Sequence, residues 1–250
     1  MSVYKNTPPI VTNGLIWYND PGSSKGWQYV PGGGTTIILN DFSGNKINLT
    51  TSNNTITAYN NDYGGNIDYS NNYATGSSGS AIPVLDNLTQ ATWNIWFNQT
   101  PGDSGVIIGK TDGNVAAGWF LEHTVGTGRL NDGIGFEIVA PTNMRYSIST
   151  GSYSVGKFQN ITMVWNGSTT VASGSEIYVN GVKKPDGYQL LGTGTRNSDV
   201  GYPLITGHMY NATLPGSSSK MGIVMIYNRQ LSEAEIIQNY NAHKSRFNLT

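Results

Sequence analysis

Cysteine is absent from all 250 residues. Disulfides, thiolate metal sites and cysteine nucleophiles are therefore impossible. Charge is also scarce. Asp, Glu, Lys and Arg together make up 12% of the chain, about half the usual share. The formal net charge is −1. With no basic stripe to neutralise phosphates, nucleic-acid binding is not expected. No apolar run approaches the ~18 residues a membrane-spanning helix needs. The opening Met-Ser-Val-Tyr-Lys-Asn-Thr-Pro-Pro lacks the apolar centre of a signal peptide, so neither a membrane segment nor a secretion signal is expected. Histidine is limited to His123, His208 and His243, and no Gly-x-Ser-x-Gly elbow accompanies them.

What the chain does have is glycine, 32 of them, and abundant Asn, Ser and Thr. These are turn residues, each for its own conformational reason. Between them lie short runs with the two-residue period of strands. The clearest is Gln90 to Gln99, where Ala91, Trp93, Ile95 and Phe97 alternate with Thr92, Asn94, Trp96 and Asn98. This pattern predicts a half-buried strand. Phe158 to Asn166 repeats it, with Ile161, Met163 and Trp165 on one face. Trp17, Trp93 and Trp165 are therefore expected in the core.

Strands are also expected at 15–18, 35–39, 47–51, 55–59, 65–70, 105–110, 118–124, 133–140, 144–150, 203–207 and 220–227. Ile177-Tyr178-Val179 and Val182-Lys183 flank Asn180-Gly181. That pair readily takes the positive φ angles of a type I′ hairpin turn. Turn signals recur about every 8–12 residues, the spacing of a sandwich or barrel. The stretches 19–34 and 187–202 read as loops, and 75–80 as a flexible loop.

The tail breaks the pattern. Ser232 and Glu235 form a capping box, and Leu231 with Ile236 a hydrophobic staple. One short helix follows, with Ile236, Ile237 and Tyr240 as its expected apolar stripe. The expected organisation is an N-terminal arm at 1–12, one β-domain at 13–244 and a C-terminal tail at 245–250.

Four segments in order resemble a known superfamily. They are Gly14 to Gly22 followed by Asp41-Phe42-Ser43-Gly44-Asn45; Ala91 to Phe97 followed by Ile107-Ile108-Gly109-Lys110; Phe158 to Gly167 leading to Ile177 through Gly181; and Ile226 to Ile236. Together the chain resembles the concanavalin A-like lectin/glucanase superfamily in its laminin-G-like or pentraxin-like form. The resemblance implies an all-β, two-sheet antiparallel jelly-roll sandwich with one short C-terminal helix. It also implies rim loops that bind sugars, in some families with calcium. The chain further resembles modules of phage virion and tail proteins and of bacterial surface proteins. The expected setting is thus a phage particle surface, the protein being made in the bacterial cytoplasm, or alternatively a bacterial cell surface. Expected partners are other virion or surface proteins, a second copy of this chain, and glycans.

The glucanase branch works through paired carboxylates facing one cleft. Here Glu122, Glu137 and Glu176 stand singly, and no Glu-x-Asp-x-x-Glu run occurs. The expected function is a non-catalytic decoration, fibre or tail-associated module that binds glycans. The alternatives are a purely structural capsid or tail protein, or a polysaccharide-degrading enzyme.

Sugar sites combine an aromatic face with polar groups that read hydroxyls. Trp27, Tyr29, Tyr63, Tyr202 and Tyr210 fall in expected loops, and Trp119 on either the concave face or the core. For calcium, which takes six to eight oxygen ligands, the candidates are Asp41, Ser43 and Asn45 with Asp20. Asp and Asn in turns equally serve as caps through their own side chains.

Overall fold

The computed structural model describes residues 8–29, 37–51, 57–60, 65–68, 74–75, 82–111, 116–124, 133–185, 187–207 and 219–250. Among them the strands, in chain order, are β1 (Leu15–Asn19), β2 (Trp27–Tyr29), β3 (Ile37–Leu39), β4 (Leu49–Thr51), β5 (Thr57–Asn60), β6 (Asn66–Asp68), β7 (Ala74–Thr75), β8 (Ala91–Asn98) and β9 (Gly105–Lys110). They continue with β10 (Trp119–His123), β11 (Gly133–Ile138), β12 (Met144–Ser149), β13 (Gln159–Trp165), β14 (Glu176–Val179), β15 (Val182–Lys183), β16 (Gln189–Leu190), β17 (Leu204–Thr206) and β18 (Lys220–Tyr227). One helix, α1 (Glu233–His243), and a 3-10 turn, Lys244–Phe247, close the chain.

Two antiparallel sheets result. The first runs β15-β14-β13-β8-β18-β6-β5, with β1 also paired to β18. The second runs β16-β12-β11-β10-β9-β17-β7-β4-β3-β2. Trp17, Trp93, Trp119 and Trp165 are all buried in the apolar layer between them. Trp93 of the first sheet packs on Trp119 of the second at 5.0 Å between ring centroids and on Phe136 at 5.6 Å. This is the expected two-layer sandwich, with inward residues supplied by the period-two alternation.

The half-buried reading of β8 needs correction. Every residue from Ala91 to Phe97 is buried. Ala91, Trp93, Ile95 and Phe97 face the other sheet. Trp96 belongs to a second apolar cluster on the outer face, with Phe158, Val164, Tyr178, Ile223, Met225, Tyr227, Leu231, Ile236 and Phe247. Thus α1 and the last residues roof the first sheet. Several polar groups under this roof pair with one another, as most buried polar groups do. Asn160 Nδ2 donates to Asn94 Oδ1 at 2.8 Å, and Asn94 Nδ2 to Thr162 Oγ1 at 2.6 Å.

The helix begins as its sequence dictates. Ser232 and Glu235 make the reciprocal capping box, and Leu231 and Ile236 are both buried. Its inner stripe differs from expectation, because Ile237 is exposed and Asn239 is buried. Asn239 Oδ1 accepts the Val11 amide at 2.8 Å, and its Nδ2 donates to the Tyr227 hydroxyl at 2.9 Å. That hydroxyl donates to the Val11 carbonyl at 2.9 Å. Val11, in the expected N-terminal arm, is stitched to the helix. Phe247, in the expected C-terminal tail, is buried against Trp96.

Three short strands lie where loops were expected. β2 pairs with β3 at one edge, β7 pairs with β4 and β17, and β16 pairs with β12. Each has two or three residues, too few to show a period. The Asn180-Gly181 hairpin forms as read, with φ of 52° and 75° at its two turn residues. The flexible loop expected at 75–80 lies, beyond Thr75, outside the described residues.

Candidate functional site

The Asp41 turn brings three of its expected metal ligands together, and the Asp41 carboxylate is engaged within the turn itself. Asp41 Oδ1 accepts the amides of Tyr18 at 3.0 Å and Ser43 at 2.8 Å. Its Oδ2 accepts the Ile47 amide at 3.1 Å and lies 2.9 Å from the Ser43 hydroxyl. A carboxylate offers about four lone-pair sites, so all are engaged. Asn45 points its amide nitrogen at the Ile16 carbonyl, 2.8 Å away. Asp20 is occupied elsewhere, accepting the Gly22 amide and pairing with Arg246 at 2.5 Å. The cluster pins the β3–β4 connection to β1. Among the described residues no group of three or more His, Asp or Glu side chains is placed to hold a metal.

Of the expected sugar-binding aromatics, the side chains of Trp27, Trp119 and Tyr202 are described. Trp119 is fully buried between the sheets on Trp93, so of its two expected positions it takes the core and not the concave face. Trp27 is partly buried against the main core. Tyr202 is half-buried, and its carbonyl accepts the Lys110 ammonium at 3.0 Å. The side chain of Tyr29, and Tyr63 and Tyr210 entirely, lie outside the described residues.

A different part of the surface forms an open pocket of about 760 Å³. Three loops build it. One precedes β8 (Asn87, Leu88, Thr89), one follows β13 (Asn166 to Thr170), and one precedes β17 (Gly194, Thr195, Arg196, Ser198). Trp165, at the end of β13, forms the floor, its indole N–H bonded to the Ser168 carbonyl at 2.7 Å. Gly167 lets the first two loops meet. It has φ of +92°, and a Cβ there would fall 2.0 Å from the Thr89 carbonyl oxygen. Asn166 holds the second loop in shape through bonds to the Val171 and Ser173 carbonyls. Asn87, Thr89, Thr170, Thr195 and Ser198 are exposed and present amides and hydroxyls to solvent.

A buried ionic network joins two of these loops. Arg196 Nη2 lies 2.5 Å from Asp199 Oδ2, and its Nη1 donates to the Leu88 carbonyl at 3.1 Å. Asp199 Oδ1 accepts the Asn87 amide at 2.7 Å. The fully buried Lys110 ammonium sits 2.7 Å from Asp86 and donates to the carbonyls of Asp199 and Tyr202. Two of the pocket's loops are thereby tied to each other from below.

A family model described as the concanavalin A-like lectin/glucanases superfamily, of the laminin G kind, matches residues 68–237. This covers well over half of the sequence. The chain belongs to the concanavalin A-like lectin/glucanases superfamily.

A search of curated proteins finds no match. Among solved structures, the chain is similar to the botulinum neurotoxin serotype D binding domain, with TM-score 0.62 and 13% identity over 92% of this chain and 52% of that one. It is similar to the Trypanosoma rangeli sialidase, with TM-score 0.58 and 13% identity over 98% of this chain and 37% of that one. It is also similar to the botulinum neurotoxin type G receptor binding domain, with TM-score 0.55 and 14% identity over 91% and 51%. The chain thus spans about half of the neurotoxin domains and less of the sialidase, and the likeness is one of fold.

This superfamily includes glucanases, so the acidic residues need inspection. The register pairs Glu122 with Gly135 and Phe120 with Glu137. Glu122 and Glu137 therefore project from the same face of neighbouring strands, on a diagonal, although the sequence shows them as isolated. Both are buried, and Glu137 accepts from Asn143 at 2.5 Å and Arg145 at 2.6 Å. It is the acid of an ion pair rather than an open proton donor.

His123, Asp103 and Ser219 also meet. The Ser219 hydroxyl donates to Asp103 Oδ2 at 2.7 Å, and His123 Nε2 lies 3.6 Å from the same oxygen. The carboxylate stands between serine and histidine, whereas an activated serine needs the imidazole beside it. Burial pushes the His123 pKa down to about 4, against the opposing pull of Asp103.

Proposed function

We propose that this protein is a non-catalytic glycan-binding module that uses the pocket formed by the loops at 87–89, 166–170 and 194–198. The observation carrying this reading is the pocket itself. It has about 760 Å³ of open volume, within the roughly 300–1,000 Å³ typical of small-molecule sites. Its exposed lining includes hydroxyl and amide groups, which exchange hydrogen bonds with sugar hydroxyls. Membership of a lectin-containing superfamily supports the assignment. The engagement of Glu137 by Arg145 and Asn143 supports a binding role over hydrolysis. The reading gives calcium no part.

We further infer that the module is displayed on a virion or a bacterial surface. The low charge and neutral polar exterior support this, since contact with other proteins then requires little desolvation of charge. Antibody labelling of intact particles and cells checks the setting. Glycan-array screening, followed by titration of hits, checks binding. Thr195→Val and Thr89→Val should each weaken binding about five-fold, the loss of one neutral hydrogen bond. Unchanged affinity in both variants would move the site elsewhere.

A further inference from the structure

We infer that the pocket takes a neutral oligosaccharide of at least two sugar rings. This deepens the glycan reading above and rests on it. The argument begins with charge. Among the described residues, Arg196 is the one charged residue lining the pocket. Its Nη2 is paired with Asp199, which balances its charge, and its Nη1 donates to the Leu88 carbonyl. Its Nε is buried and without a hydrogen-bond partner among the described residues. Beneath, Lys110 is paired with Asp86. Each cation therefore has its own carboxylate.

An anionic sugar entering this site would surrender hydration and find no free cation, which is unfavourable. A cationic sugar meets the same difficulty, because Asp199 and Asp86 are already engaged. What the pocket offers instead is uncharged. The hydroxyls of Thr89 and Thr195 make no hydrogen bond within the described residues, and both residues are exposed. A hydroxyl both donates and accepts, as each hydroxyl of a sugar does.

Size sets the length. A hexopyranose has about a dozen non-hydrogen atoms. Even at a water's share of about 30 Å³ per atom, one ring fills less than half of this volume. A single sugar would leave much of the lining wet, while two or more rings reach all three loops.

The test is calorimetric titration of the intact protein against matched oligosaccharides. One member of each pair is neutral, and the other carries a uronate, a sialate or a sulfate. Each pair is measured at low and high salt, with the corresponding monosaccharide alongside. The inference expects binding of the neutral member with affinity nearly independent of salt. It also expects at least ten-fold weaker binding of its charged partner and of the monosaccharide. Thr195→Val and Thr89→Val, both at exposed positions, should weaken the neutral ligand about five-fold without moving the melting temperature. Tighter, salt-sensitive binding of the charged member would overturn the inference while leaving the glycan reading intact. A monosaccharide as tight as its oligomer would overturn the length. Silence across the whole panel would overturn the glycan reading itself, and this inference with it.

Discussion

Phe247→Ala tests whether the C-terminal residues hold the fold together. The chain leaves α1 through the 3-10 turn Lys244–Phe247 and reverses at Asn248, which has φ of 57°. That reversal drives the Phe247 ring onto the outer face of the first sheet. The ring stacks on Trp96 at 4.1 Å and 9°, and leans on Phe158 at 5.0 Å. Gly222 leaves room for it, since a Cβ there would lie 2.8 Å from Phe247 Cζ. Deleting a ring so enclosed costs about 3–5 kcal/mol, as transfer and cavity terms together. A chain of this length loses about 2–4 °C of melting temperature per kcal/mol, so the expected drop is about 6–20 °C by calorimetry.

A double-mutant cycle sharpens the test. Gly222→Ala alone should destabilise, because its methyl wedges against the ring. In the Phe247→Ala background the same substitution should cost much less, since the clash is gone. Coupling of about 0.5–3 kcal/mol is the signature of direct contact. A drop below about 2 °C for Phe247→Ala, or additive single effects, would refute the docking of these residues and the roofed-sheet account of β8.

Other outcomes follow from single interactions. His123 has a folded-state pKa of about 4, below its ordinary 6.5, so the unfolded chain takes up the proton first. Its contribution is complete above about pH 6.5 and is lost as pH falls toward 4. The loss of about 3 kcal/mol is measurable as a falling urea midpoint. Glu235→Gln breaks the pair with Arg229 that holds the carboxyl pKa down to about 2. Because Glu235 is half-buried and its pair with Arg229 lies near the surface, about 1 kcal/mol is expected at neutral pH, with the gap to wild type closing as pH falls below the ordinary carboxylate range. Lys110→Met strands the Asp86 carboxylate and should cost about 3–5 kcal/mol. Adding Asp86→Asn should recover part of it in the same denaturation assay.

The sequence speaks clearly about the interior and poorly about its cover. Alternation along β8 and β13 places Trp93, Trp165 and their neighbours correctly, because a period of two leaves an inward side chain no other direction. The same alternation counts Trp96 with the polar residues Thr92 and Asn94. A tryptophan among asparagines was the local sign that a second layer sits there. What covers it, Phe247 and Ile236, lies about 140 residues away in the sequence, and no local period expresses that distance. Asn239 is harder still. A buried asparagine on a helix reads as a surface residue until Val11 and Tyr227 are seen to meet it.

The candidate site was illegible for a related reason. Aromatic side chains in loops attract attention as sugar platforms, yet in a sandwich with this many short strands they also anchor edges, as Trp27 does in β2. The residues that line the pocket are Thr, Ser and Asn, the commonest in the chain and individually indistinguishable from turn formers. Only the strand order brings the ends of β8 and β13 and the approach to β17 to one place. The Asp41 turn shows the converse. Its Asp-x-Ser-x-Asn spacing is rich in oxygen and looks like a ligand set, but a carboxylate that already accepts three backbone amides is organising the chain. Donor count alone does not separate the two roles. The protons that Asp41 accepts come from the Tyr18, Ser43 and Ile47 amides of the protein itself.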